Sequence, residues 1–443
     1  MDYIIPKTEQ KRVVIIGGGF AGMQLAKKLK DSNVQIVLLD KHNYHQFQPL
    51  FYQVATSGIE PSAISFPIRK IFQKQENVIF RVTEVKAIKP EEKQVETAIG
   101  LIDYDYLVIA TGAKNNFFGL KNIEKYAYAM KTTSESIILR NRLLQNIEDA
   151  VGNNNDEARK ALLHTVVIGG GPTGVEISGA LGEMKNLVIP RDFKELNKDE
   201  VKVTIIEAGS KLLQYMSFKA SMKTEVYLKD LGVDILKNAK VIDYDGETLK
   251  FANGTEIKTR AVIWAAGVSG NTVDGLKEDI LGRANRLKVN EFNKVEGYDS
   301  IYAIGDISIM TGDPKYPAGH PQVAPVAIQQ ANSLAKNLTE ILKGNQPSKG
   351  FTYHSLGTMA TVGRNLAVVE FNKYIKYYGF LAWATWLFVH LMSIVGIKNR
   401  LFIFLNWMWS YLTYDQSLRL IIRTCNCDTE LKKADIDKNK EIK

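Results

Sequence analysis

Apolar, β-branched runs punctuated by glycine recur along the chain. Val13, Val14, Ile15 and Ile16 form the first; a glycine cluster and a helical stretch to about Lys30 follow, and a second apolar run ends at Asp40. Strand, glycine cluster, helix and second strand together read as one βαβ start. The pattern returns at 165–207, where Thr165 to Ile168 lead into a second glycine cluster and a helix, and Val203 to Ile206 end at Glu207. An internal duplication of this unit predicts two nucleotide sites on one chain.

Between the units, residues 78–112 read as short strands closing with Leu107-Val108-Ile109-Ala110 and then Thr111-Gly112. Farther on, Val262-Ile263-Trp264 runs into Ala265-Ala266-Gly267, and Ile301 to Ile304 runs into Gly305-Asp306. Each strand thus ends in small residues, where a backbone can approach a ligand closely. The spacing predicts a helix over 324–343, stopped at Gly344. From Tyr377 to Tyr414 the composition changes: four of the five Trp (Trp383, Trp386, Trp407 and Trp409) fall in this one apolar segment. The charge-dense end, Asp428 to Lys443, reads as a solvated, frayed tail.

Gly17-Gly18-Gly19-Phe20-Ala21-Gly22 fits G-x-G-x-x-G with a strand before it and a helix after it. Gly17 permits the tight turn, Gly19 lets backbone reach a pyrophosphate, and Gly22 lets helix and strand pack closely. The pyrophosphate is then expected on the helix N-terminus, held by free N–H groups and the helix dipole. Asp40, followed by Lys41, is placed to accept hydrogen bonds from an adenosine ribose. The second cradle is Gly169-Gly170-Gly171-Pro172-Thr173-Gly174, with Glu207 ending its second strand after an insertion at roughly 184–200. A carboxylate there repels the 2′-phosphate of NADPH, so NADH is the expected nucleotide.

The net charge of +9 suits an anionic partner, nucleic acid or a lipid surface. No nucleic-acid-reading motif is present, which leaves lipid. Cys425 and Cys427 are the only cysteines, so there is no disulfide framework and no Cys/His cluster with zinc spacing; no metal site is expected, and the pair reads as incidental thiols. The first residues lack a basic region followed by an apolar one, so no export signal is read.

The order of first cradle, Ala110-Thr111-Gly112, second cradle, Ala265-Ala266-Gly267 and Gly305-Asp306 resembles the two-dinucleotide-binding flavoprotein reductases over about residues 12–335. The resemblance implies FAD on the first cradle, with Thr111, Gly112, Gly305, Asp306 and Ala327 near it and Asp306 on its ribitol or pyrophosphate region. It implies NADH on the second, with Ala266 and Gly267 beside it. Members that reduce disulfides carry a Cys pair soon after the first unit. His42 to Pro61 holds none, which excludes a dithiol relay or a persulfide route and leaves an acceptor that takes electrons from the flavin directly.

Within that group the chain resembles the type II NADH:quinone oxidoreductases. The segments that carry the likeness are Phe47-Gln48-Pro49-Leu50-Phe51-Tyr52-Gln53-Val54-Ala55-Thr56, Gly174-Val175-Glu176, Ala324 to Gln329 and the aromatic C-terminal stretch. The family's quinone pattern is A-Q-x-A-x-Q, and here Pro325 stands at its first Gln while Gln329 keeps the second. The resemblance implies a quinone contact at Gln329 and a role for Glu176 near the nicotinamide, in relaying a proton. The alternatives are a helix-surface amide or an N–H partner of the flavin for Gln329, and a carboxylate interacting with a helix N-terminus for Glu176.

Gly379 to Ile397 is apolar and about as long as a membrane span, with only His390 in its middle. Between Phe371 and Arg423 six Lys/Arg face one acid, Asp415. Trp and Tyr favour the headgroup boundary and cations favour anionic lipid, so a monotopic helix pair is expected, with a spanning hairpin or a dimer or core helix as alternatives.

The expected fold is α/β, with two Rossmann-type dinucleotide-binding domains of glutathione-reductase-like type and a C-terminal amphipathic helical region. The first domain is discontinuous, 1–118 and 286–350, for FAD; 119–285 takes NADH; 351–427 associates with a membrane; 428–443 is the tail. The expected function is a single-subunit, non-pumping NADH:quinone oxidoreductase on the cytoplasmic face of the membrane, reducing ubiquinone or menaquinone, with a homodimer left open. The alternatives are a soluble NADH-dependent reductase of ferredoxin or oxygen and a membrane-attached NADH sensor.

Overall fold

The computed structural model describes residues 5–347, 349–413 and 418–422. Cys425, Cys427 and the tail from Asp428 lie outside the described residues. The first βαβ unit is β1 (Lys11–Ile16), α1 (Phe20–Lys28) and β2 (Val34–Asp40). A short helix α2 (Phe51–Ala55), then β3 (Val78–Val82) and β4 (Tyr106–Ile109), follow. With a strand returning at Ile301–Ala303, these build a five-stranded parallel sheet. Val13 pairs with Ile36 on one side and Tyr106 on the other. Alternate residues therefore sort to opposite faces: Val13, Ile15, Ile36 and Leu38 pack in one core cluster, and Val14, Ile16, Val37 and Leu39 in another. Burial on both sides is why these strands read as continuous apolar runs.

The chain crosses to a second unit along β5 (Ala113–Asn115) and enters the long α3 (Thr133–Val151), whose Thr132 cap accepts from the Glu135 N–H. Then come β6 (His164–Ile168), α4 (Pro172–Glu183), β7 (Lys202–Ile206), α5 (Phe218–Asp230), β8 (Val233–Leu236) and β9 (Ala261–Trp264). Their four strands form a parallel sheet in the order β8-β7-β6-β9. The insertion after α4 is a π turn over Met184–Val188 and a short helix, Ile189–Asp192. The return crossing, β10 (Val268–Gly270), pairs antiparallel with β5. The strand at Ile301–Ala303 is β11, and α6 (Ala324–Leu342) follows it, ending one residue before the expected position.

Beyond α6 a meander of β12 (Thr358–Gly363), β13 (Leu366–Glu370) and β14 (Lys376–Tyr378) leads to two helices, α7 (Phe380–Ser393) and α8 (Ile397–Thr413). The apolar stretch read as membrane-span length is broken at Ile394. At Gly396, φ is +88° and an added Cβ would lie 2.5 Å from the Phe66 ring, so only glycine fits the turn. The 14 residues of α7 rise about 21 Å against roughly 30 Å of hydrocarbon. Among the described residues, no helix is long and apolar enough to cross a membrane.

These helices are not appended to the surface alone. Trp386, Ile394 and Ile403 are almost wholly buried, in one cluster with Leu50, Phe51 and Tyr52, with Leu139 and Leu143 of α3, and with Val175 and Ile177 of α4. The Trp407 indole N–H donates to Gln53 Oε1 at 2.8 Å, and Asn399 donates to the Ala63 carbonyl at 3.0 Å.

Candidate functional site

The first cradle lies where β1 meets α1. Gly17 has φ +106°, and a Cβ there would sit 2.3 Å from the Ala110 carbonyl oxygen; on Gly22 it would sit 1.9 Å from the Gly17 oxygen. Nothing stands within 4 Å of the same position on Gly19, so the cradle is tight behind and open in front. Gly19 caps α1 with no side-chain bond, leaving the first N–H groups to whatever fills that opening. Asp40 holds the rim: its Oδ2 accepts from Gly18 N at 2.6 Å and its Oδ1 from His42 N at 2.7 Å. Lys41 is exposed beside it. Phe20 packs edge-on against His45 and Phe47, and Ala21 is buried.

A turn from the far end of the chain closes this cradle. A Cβ on Gly305, φ +78°, would lie 3.3 Å from that of Ala21 and 3.5 Å from that of Ala327, so three residues chosen separately from the sequence meet here. Gln330, 1% exposed, accepts from Gly305 N at 2.7 Å and fixes the turn. Burial pushes the neighbouring Asp306 carboxyl up, opposed by Lys131 and Arg286. His45 Nδ1–H donates to the Gly18 carbonyl at 3.2 Å, while its buried Nε2 has no partner. Burial lowers His45 to about 4, so this ring is neutral at pH 7. Thr111 is used differently: its hydroxyl donates to the Asn271 carbonyl at 2.6 Å, tying β5 to the chain after β10, and Gly112 beside it has φ +70°.

The second cradle repeats the first nearly atom for atom. A Cβ on Gly169, φ +114°, would lie 2.5 Å from the Ala265 oxygen and 2.7 Å from the Ala266 Cα; on Gly174, 1.8 Å from the Gly169 oxygen; on Gly171, near nothing within 4 Å. Pro172 occupies the first turn of α4, where its missing N–H costs nothing, and Thr173 is exposed. Glu207 accepts from Gly170 N at 2.7 Å and from Gly209 N at 2.6 Å, as Asp40 does from Gly18 and His42. Gly267 lies against Phe118, whose ring would be 2.9 Å from a Cβ there. Both cradles fit the diphosphate and adenosine end of a dinucleotide: an open helix N-terminus for phosphate, and a fixed carboxylate for ribose hydroxyls.

Between α4, β12 and the C-terminal helices lies a cavity of about 120 Å³, lined by Tyr52, Gln53, Glu176, Glu183, Thr361 and Trp407 among others. Burial raises Glu176 to about 8, outweighing the Thr361 backbone and Trp386 indole contacts that favour its charged form. Trp386 stacks on His390 with ring centroids 3.8 Å apart, and burial brings His390 down to about 4, so it too is neutral at pH 7. Gln329 is elsewhere. Its amide donates to the His354 carbonyl at 2.9 Å and accepts from the His354 N–H at 3.0 Å, and it does not line the cavity. Sequence reading had not singled out Tyr52, Gln53, Glu183, Trp386 or Thr361 individually. Helical spacing from Glu176 was the signal available for Glu183. Among the described residues no group of three or more His, Cys, Asp or Glu could hold a metal ion.

The pyridine nucleotide-disulphide oxidoreductase family matches residues 11–331, and the NDH2 C-terminal domain matches residues 355–414. The chain is 34% identical over 416 residues to the type II NADH:quinone oxidoreductase Ndh of Mycobacterium tuberculosis, covering 91% of this chain and 88% of that one. It is 30% identical over 386 residues to the type II NADH:quinone oxidoreductase of Staphylococcus aureus, covering 82% and 91%. Its fold is that of NDH2 from Plasmodium falciparum, solved in complex with NADH, with a TM-score of 0.83 at 21% identity over 94% of this chain and 100% of that one. Two cradles in series and a C-terminal module that matches along its length therefore place this chain in the pyridine nucleotide-disulphide oxidoreductase family and, within it, among the type II NADH:quinone oxidoreductases.

Proposed function

We propose that this chain oxidises NADH and reduces a membrane quinone, using FAD on the first cradle and NADH on the second. The observation that carries the reading is the cavity where Glu176, set just past the second cradle, meets Tyr52 and the C-terminal helices. Asp40 and Glu207 each orient an adenosine ribose from a strand end. Residues 1–118 with 286–350 make the FAD domain, 119–285 the NADH domain, and 351–427 the membrane-associated region in this reading.

FAD, when bound, supplies the hydride acceptor and the two-electron donor. The chain's own contribution is position and protons. Gly19 and Gly171 bring backbone N–H groups to phosphate, and Glu207 disfavours a 2′-phosphate. Glu176, protonated at neutral pH with its carboxyl near 8, is a proton donor for an acceptor that has just taken up electrons. Phe47, His390 and Trp386 form a neutral aromatic cluster that packs α7 against the first domain. Gln329, clasped by His354, serves the acceptor side by holding the 354 loop and meeting quinone at its edge.

The helix pair lies on the cytoplasmic surface of the membrane, where anionic lipid faces Lys398 and Arg400. Steady-state NADH oxidation with a short-chain quinone tests the reading. Turnover with quinone and with ferricyanide is expected; NADH binding without turnover would mark a sensor, and turnover with oxygen or ferredoxin alone a soluble reductase. Gln329→Ala is expected to raise the quinone KM while sparing ferricyanide reduction. Equal loss with both acceptors would assign it to the fold of the 354 loop.

A further inference from the structure

Reducing a quinone to a quinol takes two electrons and two protons, whereas hydride from NADH carries two electrons and one proton. Each turnover must therefore draw one proton from water. On the function proposed above Glu176 delivers it, yet Glu176 sits deep in the cavity and must be reprotonated there.

Glu176, Gly179 and Glu183 recur at helical spacing on one face of α4. At Gly179 that face touches β12 so closely that a Cβ would fall 1.4 Å from the Val362 carbonyl oxygen. On either side of this contact the strand turns a backbone N–H toward a carboxyl: Thr361 toward Glu176, and Arg364 to Glu183, to which it donates. The register shift between Thr361 and Gly363 is the irregularity that frees the strand for this, as bulges beside active sites do. Tyr52 lines the same cavity as the two carboxyls and feels the charge of both. Its hydroxyl accepts from Gln53 Nε2 at 2.9 Å, so its own proton is left for a second partner. The Trp386 indole N–H lies on the Glu176 side, where its contact favours the charged carboxylate. A cavity of about 120 Å³ that carries these polar groups on its wall has room for several waters between them.

Past Glu183, α4 changes to a π turn that sets Leu187 and Val188 on the same wall. The rim there carries Arg364, its guanidinium 4.1 Å from the centre of the Tyr411 ring, and Tyr411 is 39% exposed. The titratable and charged groups facing Glu183 are thus Glu176 from its own helix, Tyr52 from α2, Arg364 from the meander and Tyr411 from α8.

We propose that Glu183 is the outer member of a two-carboxyl proton inlet, passing protons from solvent through cavity water and the Tyr52 hydroxyl to Glu176. In each cycle Glu176 gives one proton to the reduced acceptor, Glu183 restores it, and water restores Glu183, so the carboxyls are unchanged and one solvent proton is consumed. Burial raises Glu183, as it raises Glu176, and so favours the proton-carrying form of each carboxyl.

The test is Glu183→Gln in the FAD-loaded protein, since glutamine keeps an oxygen for the Arg364 N–H and cannot gain or release the carboxyl proton. Turnover with a short-chain quinone is expected to fall about tenfold more than turnover with ferricyanide, which takes no proton. The quinone KM should move little, the solvent isotope effect on quinone turnover should rise, and Glu183→Asp should recover part of the rate. Parallel loss with both acceptors would make Glu183 a purely structural residue, and unchanged quinone turnover would close the inlet as a route; either overturns the proposal while the function stands. Wild-type protein that reduces ferricyanide but no quinone would overturn the function itself, and the inlet with it.

Discussion

Glu207, at a strand end beside the second cradle, and Glu176, in the helix that leaves that cradle, are both carboxyls, and their surroundings give them opposite work. Two backbone N–H groups fix Glu207 as an acceptor at the rim of the second cradle. Glu207→Gln keeps the shape and removes the charge, so the preference for NADH over NADPH in kcat/KM should narrow by roughly tenfold while bound FAD is retained. Loss of flavin instead would mean that the two cradles are assigned the wrong way round. Glu176 is held protonated by burial, its carboxyl raised from 4.5 to about 8. Quinone turnover should therefore decline as pH rises through about 8, and Glu176→Gln should abolish that limb while lowering quinone turnover about 100-fold. The linkage sign follows: between 4.5 and about 8 the folded chain keeps a proton that the unfolded chain has released, so this group makes stability fall as pH rises across that window. Thermal unfolding of wild type and Glu176→Gln from pH 5 to 9 measures it, and a wild-type curve no steeper than the variant's would count against a buried protonated acid. Asp40 and Glu207 were legible because each ends the apolar strand that follows its cradle's helix. Glu183 was not, because what matters about it is the strand packed on its helix, and no spacing along the chain encodes that neighbour.

At the scale of elements, α4 does two jobs, and glycine makes them compatible. Its N-terminus forms the second cradle and its side carries Glu176 and Glu183 against β12. Gly→Ala inside a helix ordinarily stabilises by about 1 kcal/mol. At Gly179 the added methyl would meet the Val362 carbonyl at 1.4 Å, backbone that cannot swing aside. Gly179→Ala should therefore destabilise by about 1–3 kcal/mol, with quinone turnover lost before ferricyanide turnover as β12 shifts off the carboxyls. A melting temperature at or above wild type would show that helix and strand separate freely. Both βαβ units and α6 were visible as periodicity, and the insertion after α4 as extra length before Glu207, its helical form only in the structure. The meander Thr358–Tyr378 was not, because its strands are only three to six residues long and are held by pairing with each other and by α4 and α7.

For the whole molecule, the C-terminal helices carry two faces of different consequence. The inner face, Trp386, Ile394 and Ile403, belongs to the main core, so removing everything after Asn372 would unroof Tyr52 and destabilise the fold instead of yielding a soluble, active core. The sequence showed the apolar character of this segment but not its division into faces, since aromatic residues occupy both. The outer face is the one to test. Phe388 is 64% exposed, Leu401 55%, Trp409 60% and Leu412 70%, a larger apolar area than a free surface ordinarily keeps, with Lys398 and Arg400 at the turn. Surface burial of such residues in the headgroup region, aided by two cations, should make the full-length protein co-sediment with anionic vesicles more than with neutral ones. High salt should release part of it, the electrostatic part, and leave the apolar part bound. Replacing Phe388 and Leu412 together with Ser should weaken vesicle binding about tenfold, lower turnover with a lipophilic quinone in vesicles, and leave flavin content and ferricyanide turnover near wild type, because neither side chain reaches the core. If the double variant bound vesicles as wild type does but lost self-association, the outer face would be a subunit interface. If the full-length protein bound no vesicle of either charge, the membrane reading would fall and a soluble reductase would take its place.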